Sequence, residues 1–281
     1  MIVEWVTGCV LLTICAGMRL YLAMRDYLRN RRRRHQIENS VSMSQTTGGQ
    51  ECQSDVMEVY QTQAGRLAVL ADGIGKENTG KVSARIAVQV FEQLYCQYRI
   101  LKNPVYLLKR AFAGANLAIQ RIIGERRGGA SIAAAYMDGE FLHYALAGDI
   151  RIALFRNGEL LPLSEGHTIR TLVKKAWDEG RITRQETLRA IKSERIWNYV
   201  GMDGFREIET VDKPIRLKKK DVVLLMTKGI YQELPWIEIE EIMKQTGSTS
   251  RTKADQIVKA AEAIPVSDQE NGSVIIMEAW E

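Results

Sequence analysis

Cysteine and histidine are scarce in this chain: four of the first and three of the second in 281 residues. Cys9, Cys15, Cys52 and Cys96 form no C-x-x-C pair, and His35, His143 and His167 show no ligand spacing. A zinc site and a disulfide framework are therefore excluded, and reduced thiols fit best. Proline is also rare, with five residues, and the length and composition suit one fairly large domain or one domain with an appendage. An excess of positive charge is missing from most of the chain too. The net charge of +5 is already present in residues 1–35, where seven arginines stand against Glu4 and Asp26. The remainder is balanced, so net charge gives no support to nucleic-acid binding.

What is present begins with "WVTGCVLLTICAGM", uncharged from Trp5 to Met18. Extended to Met24, this run is long enough to span a bilayer as a helix, with Arg19 snorkelling near its end. A cleaved signal peptide would need a positive n-region, yet the only charged side chain before the run is Glu4. Arg31–Arg34 follow the run, and the positive-inside rule then places everything beyond them in the cytoplasm. The reading is a transmembrane anchor over residues 1–28 and a basic stop-transfer block with a polar linker over 29–50. A domain over 51–281 follows. The segment "QIENSVSMSQTTGGQ" (36–50) reads as a flexible tether.

Leu67–Ala71 has the pattern of a buried strand. "KVSARIAVQVFEQLYCQY" then sets Ala84, Ala87, Val88, Phe91 and Leu94–Tyr95 on one helical face, and Asn103-Pro104 opens a second helix. Four short strand patterns follow, punctuated by Asp-Gly, Gly-Asp and Asn-Gly, and they read as an antiparallel meander. Residues 168–193 return to helix, and "DVVLLMTKG" and "GSVIIMEAW" are further strands. Gly75, Gly80 and Lys81 meet the G-x-x-x-x-G-K spacing of a phosphate-cradling loop. However, Val82 stands where the metal-binding Ser or Thr belongs, and two helices followed by a meander are not the order of a parallel α/β nucleotide-binding fold. Trp177, Trp197 and Trp236 read as packing residues, Cys96 as a small buried hydrophobe, and "LKKKD" as a solvated turn.

The order of these segments resembles the PP2C-like, metal-dependent serine/threonine protein phosphatases (the PPM family) over about residues 48–281. "LAVLADGIGKENTGKVSARIAV" is similar to that family's strand, Asp-Gly loop and helix. The run from "GGASIAAAYM" to "LSEGHT" is similar to its Gly-Thr strand, Gly-Asp-Ser-Arg hairpin and Asp-His segment. "AWDEGRITRQE", "NYVGMDG", "KDVVLLMTKGIYQEL" and "ENGSVIIM" follow in the family's order. The resemblance implies an α+β fold, an α-β-β-α sandwich of two antiparallel sheets flanked by helices, here preceded by the transmembrane helix. It also implies two Mg²⁺ or Mn²⁺ ions, held by carboxylate and carbonyl oxygens, that activate a water for attack on phosphorus.

Residue by residue, the resemblance puts Asp72 at the carboxylate that bridges the metals and Gly73 at a backbone carbonyl ligand. Asp55 falls at the last aspartate of the N-terminal "R-x-x-N-Q-D" motif, and Asp149 at the hairpin aspartate of an accessory metal. Other positions depart from the pattern. The phosphate-binding arginine falls at Gln50, the polar residue before the motif aspartate at Ser54, and a ligand aspartate at Lys228. The last ligand aspartate becomes Glu270, and the aspartate before His167 becomes Gly166. Lys228 is then expected to form a salt bridge with Asp72 or Glu270 in place of a metal. The function that follows is a membrane-anchored, catalytically impaired phosphatase-fold protein that binds a phosphoprotein, a serine/threonine kinase or a membrane protein assembly. Any cofactor would be Mg²⁺ or Mn²⁺, and the site is compatible with none; nucleic acid is not expected. The alternative is an active, divergent Mg²⁺/Mn²⁺-dependent phosphatase.

Overall fold

The computed structural model describes Met24 and residues 40–279, apart from 77, 99, 100, 212 and 267. The expected transmembrane helix lies outside the described residues, and no helix among those described is long and apolar enough to cross a membrane. The chain divides into two units, Met1–Val41 and Ser42–Glu281, and apart from Val41 the elements below belong to the second.

Strands β1 (Val41–Thr46), β2 (Val56–Thr62) and β3 (Gly65–Gly75) lead into helices α1 (Thr79–Tyr95) and α2 (Pro104–Ile123). Strands β4 (Gly128–Met137), β5 (Phe141–Ala147), β6 (Ile150–Arg156) and β7 (Glu159–Pro162) follow, then helices α3 (Ile169–Asp178) and α4 (Arg184–Ala190). Two short strands, β8 (Glu209–Thr210) and β9 (Ile215–Arg216), precede β10 (Val222–Thr227). The chain closes with α5 (Lys228–Tyr231), α6 (Trp236–Lys244), α7 (Ser250–Glu262) and β11 (Gly272–Glu278).

One sheet has the order β1-β11-β10-β6-β7 and the other β2-β3-β4-β5-β8, and neighbouring strands from β2 to β5, with β6-β7, β6-β10 and β10-β11, pair antiparallel. Alternation along β3 sends Leu67, Val69 and Ala71 to the helix side, where they pack with Ala84, Phe91 and Phe112 of α1 and α2. On the other sheet Leu224, Met226, Val274 and Ile276 meet Ile239, Ala254 and Ile257 of α6 and α7. The intervening residues Ala68, Leu70, Ala133, Val223, Leu225 and Ile275 are also wholly buried. Their alternation points them into the space between the sheets, which meet through β3 with β10 and β4 with β6. Both faces of each central strand are therefore covered, which explains the unbroken apolar runs.

Three expectations are corrected. Residues 41–46, read as flexible linker, form β1 at the edge of a sheet. Apolar periodicity missed it because its inward residues, Ser42 and Thr46, are polar. Side-chain bonds hold the strand instead: Ser44 Oγ donates to Asp255 at 2.7 Å, Thr46 Oγ1 to Glu262, and Arg251 to the Met43 carbonyl at 3.0 Å. The four strands from Gly128 to Pro162 are not one meander. Asp138-Gly139 and Asn157-Gly158 do close hairpins, but at Gly148-Asp149 the chain crosses from one sheet to the other. Lastly, Cys96 and Trp177 are exposed rather than buried, Cys96 because α1 ends at Tyr95.

Candidate active site

The crossing at Gly148-Asp149 brings several strand termini to one end of the sandwich. Asp72 lies on β3 opposite Ser131 of β4. Asp55 directly precedes β2, and one step beyond the Val56–Ala71 pair the register sets it opposite Asp72. Thr227 ends β10 opposite Ile150, so Lys228 emerges beside Asp149, and Glu270 lies two residues before β11. Residues more than 200 positions apart thus share one site, because strands of both sheets end there.

Asp55 is buried, and its Oδ2 accepts hydrogen bonds from Thr227 Oγ1 (3.0 Å) and Ser273 Oγ (2.7 Å). Its Oδ1 is buried with no hydrogen-bond partner. Burial pushes the Asp55 carboxyl up to about 7 against the pull of those two hydroxyls. Burial also holds the Asp72 carboxyl well above its ordinary value, followed by the charges of Asp55, Glu270 and Asp149. Two such carboxyls facing each other share a proton or a cation.

Gly73 is packed against Gly80: a Cβ on Gly73 would meet the Gly80 carbonyl oxygen at 2.3 Å, and one on Gly80 would meet that of Gly73 at 2.6 Å. This contact, rather than a phosphate cradle, explains Gly73 and Gly80, while Gly75 has a φ of +151° and a Cβ there would meet Thr79 Oγ1 at 2.2 Å.

Lys228 makes the salt bridge expected with Glu270, Nζ to Oε1 at 2.9 Å, and no ion pair with Asp72 is found among the described residues. A second bridge, to Glu194 Oε2 at 2.9 Å, was not foreseen. Gln232 Nε2 donates to the other Glu194 oxygen at 2.9 Å. Burial works against the ammonium, but its bonds to Glu270 and Glu194 prevail and hold its pKa above the ordinary value.

Asp149 is likewise engaged by protein groups. Its Oδ1 accepts from the Tyr231 hydroxyl and from Arg151 Nη1 at 3.1 Å, and its backbone N–H donates to Ser131 Oγ at 3.0 Å. The Arg151 guanidinium also lies 4.4 Å from the centre of the Tyr231 ring. Gly166 leaves room for that arginine: a Cβ there would come within 2.4 Å of Arg151 Nη1. The next residue, His167, is buried, and its Nδ1 accepts from the Gly148 N–H at 3.2 Å and Asn198 Nδ2 at 2.8 Å. The proton of the neutral ring therefore sits on Nε2, and burial lowers the His167 pKa to about 4.

Gln50 is exposed, and its amide donates to the Gln269 carbonyl at 3.3 Å. The Ser54 N–H donates to Asn271 Oδ1 at 2.7 Å, and Asn271 Nδ2 holds the carbonyls of Thr47 and Cys52. Asn271 thus ties the loop before Asp55 to β11.

The structure brings together Asp55, Asp72, Gly73, Asp149, Lys228 and Glu270, with Gln50 and Ser54 on the loop leading in. Sequence reasoning missed Arg151, Glu194, Thr227, Tyr231 and Ser273. Arg151 and Tyr231 lay inside segments already singled out, but Tyr231 stands 82 positions from Asp149, a distance only the fold closes. Among the described residues no group of three or more His, Cys, Asp or Glu side chains is placed to hold a metal ion.

No protein-family model matches the chain. The serine/threonine phosphatases stp of Listeria welshimeri and Listeria monocytogenes are 24% identical to it over 219 residues, 75% of this chain and 84% of each relative. The S. agalactiae serine/threonine phosphatase superposes with a TM-score of 0.73 at 20% identity, covering 84% of this chain and 97% of that one. The Mycobacterium tuberculosis phosphatase PstP/Ppp does so with a TM-score of 0.68 at 21% identity, covering 86% and 98%. The catalytic domain of PstP is also known in complex with two manganese ions. In sequence this chain is similar to serine/threonine phosphatases, and it shares their fold.

Proposed function

We propose that the chain is a membrane-anchored phosphatase-fold protein with impaired catalysis, acting as a regulatory module that binds a phosphoprotein, a serine/threonine kinase or a membrane protein assembly. The observation that carries this reading is the Lys228 ammonium, 2.9 Å from Glu270, where the resemblance implies a metal-ligand carboxylate. A divalent ion about 4 Å from that ammonium would be repelled by roughly 8 kcal/mol at an effective dielectric of about 20. The residues present do not fit a two-ion centre. Glu270 is paired with a lysine, Asp149 is held by Arg151 and Tyr231, and only the Asp55–Asp72 pair retains an oxygen without a partner. Gln50 in place of the arginine also removes a bidentate grip on phosphate.

The anchor rests on the uncharged run from Trp5 and the Arg31–Arg34 block, which set the domain on the cytoplasmic side of the cell membrane. Turnover of a serine phosphopeptide in excess Mn²⁺, with Asp72→Ala as the blank, tests the catalytic half of the proposal. Equal rates for the two proteins are expected; turnover that Asp72→Ala abolishes would establish an active divergent phosphatase instead.

A further inference from the structure

The end of the sandwich opposite this site carries a run of cations that the site leaves unused. Lys213, Arg216, Lys218, Lys219 and Lys220 are all exposed, and none has an ion-pair partner among the described residues. The turn that presents the last three is fixed: the Asp221 N–H donates to the Lys218 carbonyl at 3.1 Å, and Lys220 adopts a left-handed φ of 71°. Asp221 does not neutralise these lysine side chains. It is buried and bound to Arg156 at 2.6 Å and to the Lys218 backbone N–H at 2.6 Å. The neighbouring turn holds Asp138, which accepts from the N–H groups of Glu140 and Phe141, and Glu140, whose carbonyl accepts from the Leu217 N–H at 2.8 Å.

The domain is also entered at this end. The β1 contacts advance in step along α7, with Met43 on Arg251, Ser44 on Asp255 and Thr46 on Glu262. Ser250, at the start of α7, bonds Glu278 at the end of β11, and Val222 pairs with Glu278. The first residues of β1 therefore lie beside the Lys218–Asp221 turn, only two strand spacings away, about 10 Å. The six residues of β10 separate that turn from Lys228, a length of about 20 Å.

None of the exposed large apolar side chains of the described residues falls between 200 and 230. The segment that carries these cations thus offers no exposed aromatic or aliphatic anchor for a protein interface and no stacking partner for bases. Charge alone remains, and a bilayer of anionic phospholipid offers the matching surface. We propose that this basic end is the face the domain turns toward anionic phospholipid headgroups, leaving the Asp72–Lys228 end open to soluble partners. The setting rests on the membrane-anchor reading above, but the affinity belongs to the domain itself.

The test is vesicle flotation of residues 40–281, which contain the whole Ser42–Glu281 unit. Vesicles of phosphatidylcholine are compared with vesicles carrying about 30 mol% phosphatidylserine. The domain should float with the second alone and be released at about 0.5 M salt. Each cation contributes about five-fold in affinity, so Lys218→Gln/Lys219→Gln/Lys220→Gln should weaken binding about 100-fold. Its melting temperature should not change, since all three side chains are exposed. Failure to float, equal binding to phosphatidylcholine, indifference to the triple variant, or binding only to acidic proteins or nucleic acid would each overturn the proposal. Membrane fractionation of the full chain after a wash at about 0.5 M salt separates the two readings. A full chain free of membranes with a domain that still floats removes the anchor and keeps this surface, whereas a membrane-bound full chain with a domain that does not float does the reverse.

Discussion

Replacing Lys228 by aspartate should turn a metal-indifferent domain into a metal-dependent one. In the wild type the ammonium bridges Glu194 and Glu270, whose side chains are 51% and 50% exposed. Solvent screens both pairs, so each contributes about 0.2–1 kcal/mol, and their loss with the new repulsion costs about 2 kcal/mol without metal. A carboxylate at position 228 would join Asp72 and Glu270 as hard oxygen donors. If Mn²⁺ then binds with free ion at about 100 times its dissociation constant, the folded state gains about 2.7 kcal/mol. For a domain of this size that is about 5–10 °C in melting temperature. Thermal melts with millimolar Mn²⁺ and with EDTA should therefore coincide for the wild type and separate for Lys228→Asp. Lys228→Met, which removes the repelling charge without adding a ligand, should separate the two melts by less than Lys228→Asp does. A wild-type domain stabilised by Mn²⁺ as strongly as Lys228→Asp would refute the reasoning.

Other outcomes follow from the same geometry. The folded Asp55 pKa of about 7 lies above its ordinary 3.8, so the folded state binds the extra proton and this stabilisation is complete below 3.8 and lost as pH rises through about 7. The stability of wild type relative to Asp55→Asn, from urea unfolding at successive pH values, should fall across that window; a flat difference would count against the shared proton. Arg151→Ala strips a buried carboxylate of one of its two partners and should lower urea-unfolding stability by about 1–3 kcal/mol. Removing residues 1–39 should leave the melting temperature of the domain in place, whereas removing 1–46 takes away β1 with its Asp255 and Glu262 contacts and should lower it by several degrees.

Much of the fold was legible because both sheets are covered on both faces. That arrangement writes Leu67–Ala71 and Val222–Thr227 as apolar runs and α1 as a stripe of Ala84, Ala87, Val88, Phe91 and Tyr95. β1 escaped for the opposite reason: an edge strand fastened by serine and threonine hydroxyls has no hydrophobic period to read. The crossover at Gly148-Asp149 was misread because a Gly-Asp pair suits a hairpin as well as a change of sheet, and only pairing distinguishes them. At the site, the resemblance of motif order was enough to gather Asp55, Asp72, Asp149, Lys228 and Glu270. Their partners were not legible. Glu194 reaches Lys228 from the segment after α4, and Thr227 and Ser273 reach Asp55 across 172 and 218 positions. Such contacts are set by how strand ends converge, which local spacing does not encode.

The central claim is that protein cations hold the places where the family's relatives would bind metal. Counting bound Mn²⁺ per chain by equilibrium dialysis at millimolar free ion tests it most directly. The account predicts no ion bound to the wild-type chain at that concentration, in keeping with its coincident melts, and one or two ions per wild-type chain would contradict it.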